Sequence, residues 1–506
     1  MSSPRNHSKV YLDCYAPNPL VDRNRYKSLK PDRTSPPTFH DSRELLPAPF
    51  WEGNETAIEA YWAAWDLAFR NLRRPIRGSG LVRPFIDTAF NDCIFLWDSV
   101  FILYFGRYGT RAFDFQGTLD NLYAMQHPDG FITRELQEWD GQDRFHRHDP
   151  SSTGPNLFAW SEWEYYLNFG DEVRLRDVYP VLLAYHQWCR RYRTWPDGSY
   201  WSTGWGCGMD NQPRTPKGFS REYEHGFMSW ADATLQAVLS ARLLLKMAKL
   251  LGEREGVEEL ETEHAHLTRW VNREMWSDPL GFYVDRLRDG SLSEVKSIGA
   301  FWALLAEVAP PERRNALIAH LENPETFNRP HRVPSLSADH PDYDPRGNYW
   351  SGGVWPSTNY MVLRGLTQCG AHDLAAEIGR NHHACIVKVF EETRTFWESY
   401  APESWEPGHS ARDAFVGWGG IGPIAVLLEY VFGIRPDVSQ NKLIWDIRMT
   451  DAFGVSRYPV GAKGLVDLKV QRRRSLDEEP QVEVTGNLPL KIEVNWRGGT
   501  KEISQS

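Results

Sequence analysis

Hydrophobic residues recur along most of the chain at helical spacing. Ile58, Trp62, Trp65, Phe69 and Leu72 follow one another at intervals of four and three, which places them on one helical face. Asn54 stands where it can cap that helix, and Pro75 ends it. Leu175, Val178, Leu182, Tyr185, Trp188 and Tyr192 form a second such face. Read in this way, the sequence predicts helices near 55–74, 93–108, 113–126, 157–168, 174–193, 228–251, 257–276, 296–307, 311–321, 355–368, 371–393 and 418–431. Stretches rich in Gly, Pro, Asp and Trp at 128–156, 195–227, 322–354 and 397–417 separate some of them. Loops of that length inside a compact domain usually carry function. Helices joined alternately by short and long connections predict six helical hairpins closed into a ring. This is a mainly α fold, an (α/α)6 barrel, with the long loops around one mouth.

The pattern changes at both ends. Residues 1–50 are polar and Pro-rich and predict an extended N-terminal arm. From about residue 440 the segments LIWDIRM, GVSRYPV, GLVDLKVQ, QVEVTG and LKIEVNW alternate with period two, and Gly461, Gly464, Gly486 and Gly498-Gly499 punctuate them. They predict a small C-terminal antiparallel β domain over 440–506 without catalytic residues. Residues 51–439 are then the helical catalytic domain.

Composition narrows the chemistry. A net charge of -10 argues against nucleic acid and against an anionic membrane surface, since both need clustered Lys and Arg. Arg472-Arg473-Arg474 is followed at once by Asp477, Glu478 and Glu479 and reads as a solvated turn. The N-terminus, MSSPRNHSKV, lacks the apolar core of a signal peptide, and no window reaches membrane-spanning length. The cysteines at 14, 93, 189, 207, 369 and 385 form no CxxC pair, which suits reduced thiols in a cytoplasmic protein. HRH at 146–148 and HH at 382–383 lack acidic or Cys partners at ligand spacing, so neither a metal nor another cofactor is expected. The aromatic content does change the picture, with 22 Trp, 21 Tyr and 24 Phe. Trp201, Trp205, Trp350, Trp355, Trp397 and Trp405 fall in loop-like stretches. A flat ring stacks on the apolar face of a pyranose while polar neighbours bind its hydroxyls, so the expected partner is a small carbohydrate.

Three carboxylates stand out from the surface charge. Asp210 lies in GWGCGMDNQPR, Glu398 in TFWESYAPESWEPG, and Asp98 in NDCIFLWDSVFILYFGRYG. Asp98 can serve as a helix cap or pair with Arg107. An Asx-turn accounts for Asp210 but leaves Arg214, among bulky aromatics, unexplained. A carboxyl group in such surroundings has a raised pKa and can act as a general acid. Two carboxyl groups on opposite sides of a sugar are what glycoside hydrolysis requires. Trp205, Trp397 and Tyr400, beside the two acids, are candidate sugar contacts.

These segments resemble a known family. GCGMDNQPR is similar to GMDNxPR, the general-acid loop of glycoside hydrolase family 63, whose counterpart in trehalases reads SGWDxSxR. NYWSGGVWPSTNYMVLRGL (348–366) resembles that family's YWRGPxWxxxNYL helix start. FWESYAPESWEPG with FVGWGGIGPIAVLLEY resembles its base segment, and LWDSVF its WDxxF segment. Within this trehalase-like clan the chain looks most like the mannosylglycerate and glucosylglycerate hydrolases, over roughly 50–435. The resemblance implies an inverting hydrolase of a short α-glycoside, with Asp210 as general acid and Glu398 as general base. It implies that Trp97, Asp98, Arg214 and Trp355 hold the sugar that is cleaved off. Ser351, Gly353 and Cys207 depart from the family's pattern. Segments 126–136 and 148–160 are expected at the mouth, with Asp232 and Gln236 as further candidates to reach in. Arg134, Arg144, Arg147 or Arg214 is expected to meet an aglycone carboxylate. Glu403 and Glu406 stand next to Glu398 as substitutes for the base. Two other readings compete: a sugar isomerase or epimerase using His146, His148 or His225 as proton shuttle, and a non-catalytic sugar-binding protein, which would have lost one of the carboxylates.

Overall fold

The computed structural model describes residues 16–487 and 490–504. Cys14, part of the thiol expectation, lies outside the described residues, as does the start of the arm. The helical part comprises α1 (Glu55–Arg70), α2 (Leu96–Gly106), α3 (Thr118–Ala124), α4 (Phe158–Phe169), α5 (Glu172–Tyr192), α6 (Ala231–Leu251), α7 (Val257–Glu274), α8 (Trp302–Leu305, entered through a 3-10 turn at Ile298–Phe301), α9 (Pro311–Glu322), α10 (Pro356–Gln368), α11 (His372–Thr393) and α12 (Ile421–Val431).

Alternate helices pack in succession. α2 packs on α4, α4 on α6, α6 on α8, α8 on α10, α10 on α12, and α12 back on α2. These are the apolar members: every residue of α2 and of α12 is buried. The amphipathic members lie outside them, α5 and α7 on α6, and α1 and α11 on α12.

Local detail differs from the sequence reading in several places. Asn54 makes no side-chain cap; its carbonyl receives the Ala57 amide. Ile58 and Trp62 are only half-buried, because α1 turns Ala60, Tyr61, Ala64, Trp65 and Ala68 inward to meet both α11 and α12. The helix expected over 93–108 starts only at Leu96, since 93–95 form a strand instead. α12 is wound as a π-helix, with the Phe432 amide donating to the Leu427 carbonyl five residues back.

The strands are β1 (Ala48–Trp51), β2 (Leu72–Arg73), β3 (Phe85–Ile86), β4 (Cys93–Phe95), β5 (Glu135–Gln137), the ribbon of β6 (Trp276–Ser277) and β7 (Phe282–Tyr283), then β8 (Ile434–Asp437), β9 (Lys442–Asp446), β10 (Phe453–Val460), β11 (Gly464–Val470), β12 (Val482–Gly486), β13 (Lys491–Trp496) and β14 (Gly499–Ser504). Two four-stranded sheets follow the helices, in the orders β1-β10-β11-β12 and β14-β13-β9-β8. Two features depart from an all-antiparallel C-terminal unit. β13 runs parallel to β9, since the chain leaves to build the other sheet before returning. β1 comes from the N-terminal arm and pairs with β10, Ala48 opposite Ser456.

A buried charged cluster lies among the inner helices. Arg107, just past α2, donates to Glu429 of α12 at 2.5 Å and to the Tyr360 hydroxyl of α10 at 3.1 Å. Tyr108 and Tyr360 donate to the same carboxylate at 2.8 and 2.9 Å. Arg364 of α10 bonds Glu164 of α4 at 2.6 and 2.7 Å. Arg107 therefore pairs with Glu429 and not with Asp98, the partner suggested by proximity in sequence. Removing one member of a buried ion pair strands the other in low dielectric. Glu429→Ala should therefore lose about 3–5 kcal/mol of stability, measurable by urea denaturation. A loss below about 1 kcal/mol would mean that the cluster does not bind the helices together.

Candidate active site

The segment CGMDNQPR explains itself once its contacts are traced. It follows a single helical turn, Gly204–Cys207, capped by the Thr203 hydroxyl. Gly208 then takes a left-handed conformation, φ 74°, and a Cβ there would stand 3.0 Å from the Trp97 ring. The polar neighbours of Asp210 clamp the segments around it. Asn211 accepts from the Trp350 amide at 2.8 Å and donates to the Asn348 carbonyl. Gln212 donates to the Ser335 carbonyl at 2.7 Å and accepts from Ser297. Arg214 donates to both oxygens of Asp232 and of Asp285, at 2.6–2.8 Å. The tight turn thus fixes one carboxylate against the 322–354 loop, the first turn of α6 and the chain at Asp285 and Ser297.

Asp210, Glu398 and Asp98 line one cavity of roughly 220 Å³. Phe90, Phe95, Trp97, Phe145, Trp205, Tyr349, Trp350 and Trp418 supply its aromatic walls, and Arg134, Glu135, Arg144 and Arg412 its other charges. Burial pushes the Asp210 carboxyl up to about 6, against the pull of Arg134 and of the Tyr349 hydroxyl 3.4 Å away. Burial likewise pushes Glu398 up to about 7. Arg412 opposes this through a 2.5 Å bond to Oε1 and its amide on Oε2, while the Asp210 charge adds to it. The backbone around Glu398 is held by its amide on the Arg412 carbonyl and by Trp418 Nε1 on its own carbonyl at 2.6 Å.

Asp98 sits in the first turn of α2 and is 4% exposed. Burial first, then the charges of Glu398 and Glu135, raise its pKa far above the carboxylate range. Its Oδ1 and the neighbouring Trp97 Nε1 have no hydrogen-bond partner among the described residues. A protonated or hydrogen-bond-starved carboxyl beside an indole N–H suits ligand hydroxyls.

The expected sugar-contacting residues divide into two groups. Trp97, Asp98 and Trp205 line the cavity, whereas Arg214, Trp355, Trp397 and Tyr400 are not among its lining residues. The Arg214 fork is taken up by its two aspartates. Trp355 lies behind Trp350, stacked at 3.8 Å and 1°, and donates to the Tyr349 carbonyl. Gly353 fits this packing, because a Cβ there would meet that carbonyl at 2.4 Å. Trp397 donates to the Thr393 hydroxyl, and Tyr400 pairs with Val354 through the backbone. Asp232 faces Arg214, Glu403 faces Arg329 and Tyr343, and Glu406 accepts from Ser404. Neither these three nor Gln236, Arg147, His146, His148 or His225 lines the cavity. The reading of the sequence passed over Tyr349 and Arg412. Tyr349 lies within the 348–366 motif, beside the tryptophans, but Arg412 lies fourteen residues past Glu398 with no pattern to mark it.

Comparison with known proteins identifies the family. The family model of the mannosylglycerate hydrolase MGH1-like glycoside hydrolase domain matches residues 93–413. An uncharacterized protein of Borreliella burgdorferi is 24% identical over 363 residues, 70% of this chain and 74% of that protein. A mannosylglycerate hydrolase of Thermus thermophilus is 25% identical over 385 residues, 61% of this chain and 88% of that protein. Among solved structures, a family 63 mannosylglycerate hydrolase, also from Thermus thermophilus and in complex with glucose, superposes with a TM-score of 0.57 at 24% identity, over 72% of this chain and 98% of that one. With more than half of its residues matched, the chain belongs to the mannosylglycerate hydrolase MGH1-like glycoside hydrolases and is a glycosidase.

Proposed function

We propose that the chain hydrolyses a short α-mannoside or α-glucoside with inversion, using Asp210 as general acid and Glu398 as general base. The observation that carries this reading is the shared aromatic cavity, in which two carboxyl groups are both raised toward neutrality. The succession of inner helices from α2 round to α12 supports an (α/α)6 barrel as its frame. Protonated Asp210 donates to the glycosidic oxygen as the bond from that oxygen to the anomeric carbon breaks. Ionised Glu398 takes a proton from a water whose oxygen attacks the same carbon from the opposite face. Asp98, Trp97 and Trp350 hold the sugar between them. Arg134 and Arg144 at the wall suit an aglycone with a carboxylate, such as the glycerate of mannosylglycerate or glucosylglycerate. Glu135, which pairs with Arg134 and stands 3.8 Å from Arg144, keeps that region from being strongly positive.

The decisive test is a panel of mannosylglycerate, glucosylglycerate and α-linked disaccharides assayed for released monosaccharide. Proton NMR of the first product should show the inverted anomer before mutarotation. Retention would make Glu398 a nucleophile, at a carboxyl separation of about 5–5.5 Å instead of about 6.5–9.5 Å. Asp210→Asn should fold normally and lose about 10²–10⁴-fold in kcat on a natural glycoside. An activated leaving group should recover part of that loss. Near-native activity in Asp210→Asn would remove the acid assignment.

The pH dependence follows from the two raised groups. The pair must carry one proton, on Asp210; Glu398 is the more basic of the two, so the competent form is the minor singly protonated one, and kcat/KM should be bell-shaped with limbs near 6 and 7. Arg412 favours the ionised form of Glu398. Its loss makes Glu398 hold its proton to higher pH, so Arg412→Gln should move the optimum in the alkaline direction. An unchanged profile in that variant would mean that Glu398 is not the titrating base.

A further inference from the structure

Phe90 and Asn91 reach the active-site cavity from the short loop at 87–92, between β3 and β4. Three of the loop's non-glycine residues hold left-handed backbone: Ala89 at φ 74°, Asn91 at 64° and Asp92 at 47°. Side chains resist that conformation, so the surroundings must impose it. Two carboxyl groups are placed to do so. Asp87 starts the loop and is 5% exposed. Glu138 is 8% exposed and directly follows β5, whose Glu135 also lines the cavity. The Glu138 amide donates to the Asp92 carbonyl at 3.1 Å, and Cys93 pairs with Gln137 across β4 and β5.

Asp87 Oδ1 and Glu138 Oε1 are both buried and have no donor among the described residues. The two carboxyl groups nevertheless lie within hydrogen-bonding reach of each other. Two carboxylates cannot bond, but a carboxylic acid and a carboxylate can. The other groups facing them are few. Arg73 of β2 stands 3.8 Å from Asp87 with its side chain 42% exposed, and Asp92 adds a second negative charge. The Cys93 thiol is adjacent and neutral, raised to about 12 by burial. One partly solvated guanidinium does not offset two buried carboxylates. Burial and the Asp87 charge push the Glu138 carboxyl up to about 8.

We propose that Asp87 and Glu138 are positioning residues that share one proton, and that this proton latches the 87–92 loop to β5 so that Phe90 and Asn91 form a fixed wall of the cavity. The bearing of the latch on catalysis rests on the hydrolase reading above; the latch itself does not. In the open loop Glu138 meets water and titrates in the ordinary carboxyl range. The closed form holds the proton to a higher pH. Closure therefore weakens as pH rises between these two values and stops weakening once both forms are ionised.

Hydrogen exchange of the intact protein between about pH 5 and 9, corrected for the intrinsic rate, reads the latch directly at the Ala89 and Glu138 amides. In the unaltered chain their protection should fall by up to about tenfold per pH unit and level off near 8. In Glu138→Gln an amide N–H replaces the proton, so protection should stay flat across the range. A flat profile in the unaltered chain, or equal slopes in both proteins, would overturn the proposal. Should the variant fail to fold, the unaltered chain still decides with calcium chloride added. Protection at about pH 7 that depends on calcium would place a cation between the carboxyl groups and likewise overturn the shared proton. Exchange needs no substrate. A chain that cleaves nothing in the glycoside panel leaves the latch standing, and a failed latch leaves the hydrolase reading standing.

Discussion

Arg107 and Glu429 have left water together, and the helical assembly is arranged around that fact. Neither charge survives in the interior alone, so α2, α4, α10 and α12 must meet for both to be satisfied. The same helices carry the active site at their opposite ends. Asp98 is in the first turn of α2, Trp355 with its partner Trp350 precedes α10, Trp418 precedes α12 and Pro155 precedes α4. The charged cluster lies toward the C-terminal ends, while the cavity opens where the helices begin. Helix N-termini favour negative charge, which suits a cavity holding several carboxyl groups.

Burial nevertheless dominates there. Asp98, Asp210 and Glu398 are all raised; Arg134 moderates the shift of Asp210, and Arg412 that of Glu398, without cancelling it. Arg412 is half exposed, so its hold on Glu398 is partly screened by water. A fully buried partner would keep Glu398 ionised at every pH and leave it a weak base. The compromise gives groups that can both hold and release a proton near neutrality.

Much of this was legible in the sequence where a periodic pattern or a motif carried it. Asp210 and Glu398, which share the cavity, stood out because carboxylates among aromatics in an aperiodic loop have few other uses. Arg214 and Trp355 were read as sugar contacts from the family resemblance, and their side chains are engaged elsewhere. Arg214 shares a turn with Asp210 but points to Asp232 and Asp285, and Trp355 shares a motif with Trp350 but stands behind it. A sequence places residues in one neighbourhood without saying which way each side chain faces. Arg412 and the Asp87–Glu138 pair were invisible because their meaning lies in contacts across loops. The π-helical winding of α12 leaves no trace in a run that is buried on every side and apolar but for Glu429 and its neighbour Tyr430.

The pairing of β1 with β10 reaches beyond the folded state. Ala48 leaves the ribosome early, and its partner Ser456 follows only after most of the chain has been made. At roughly 5–20 residues per second, an interval of about 400 residues keeps β1 waiting on the order of 20–80 s. Throughout that time a short apolar strand, Ala-Pro-Phe-Trp, has no sheet to join. β1 therefore stays without its neighbour until β10 has been made.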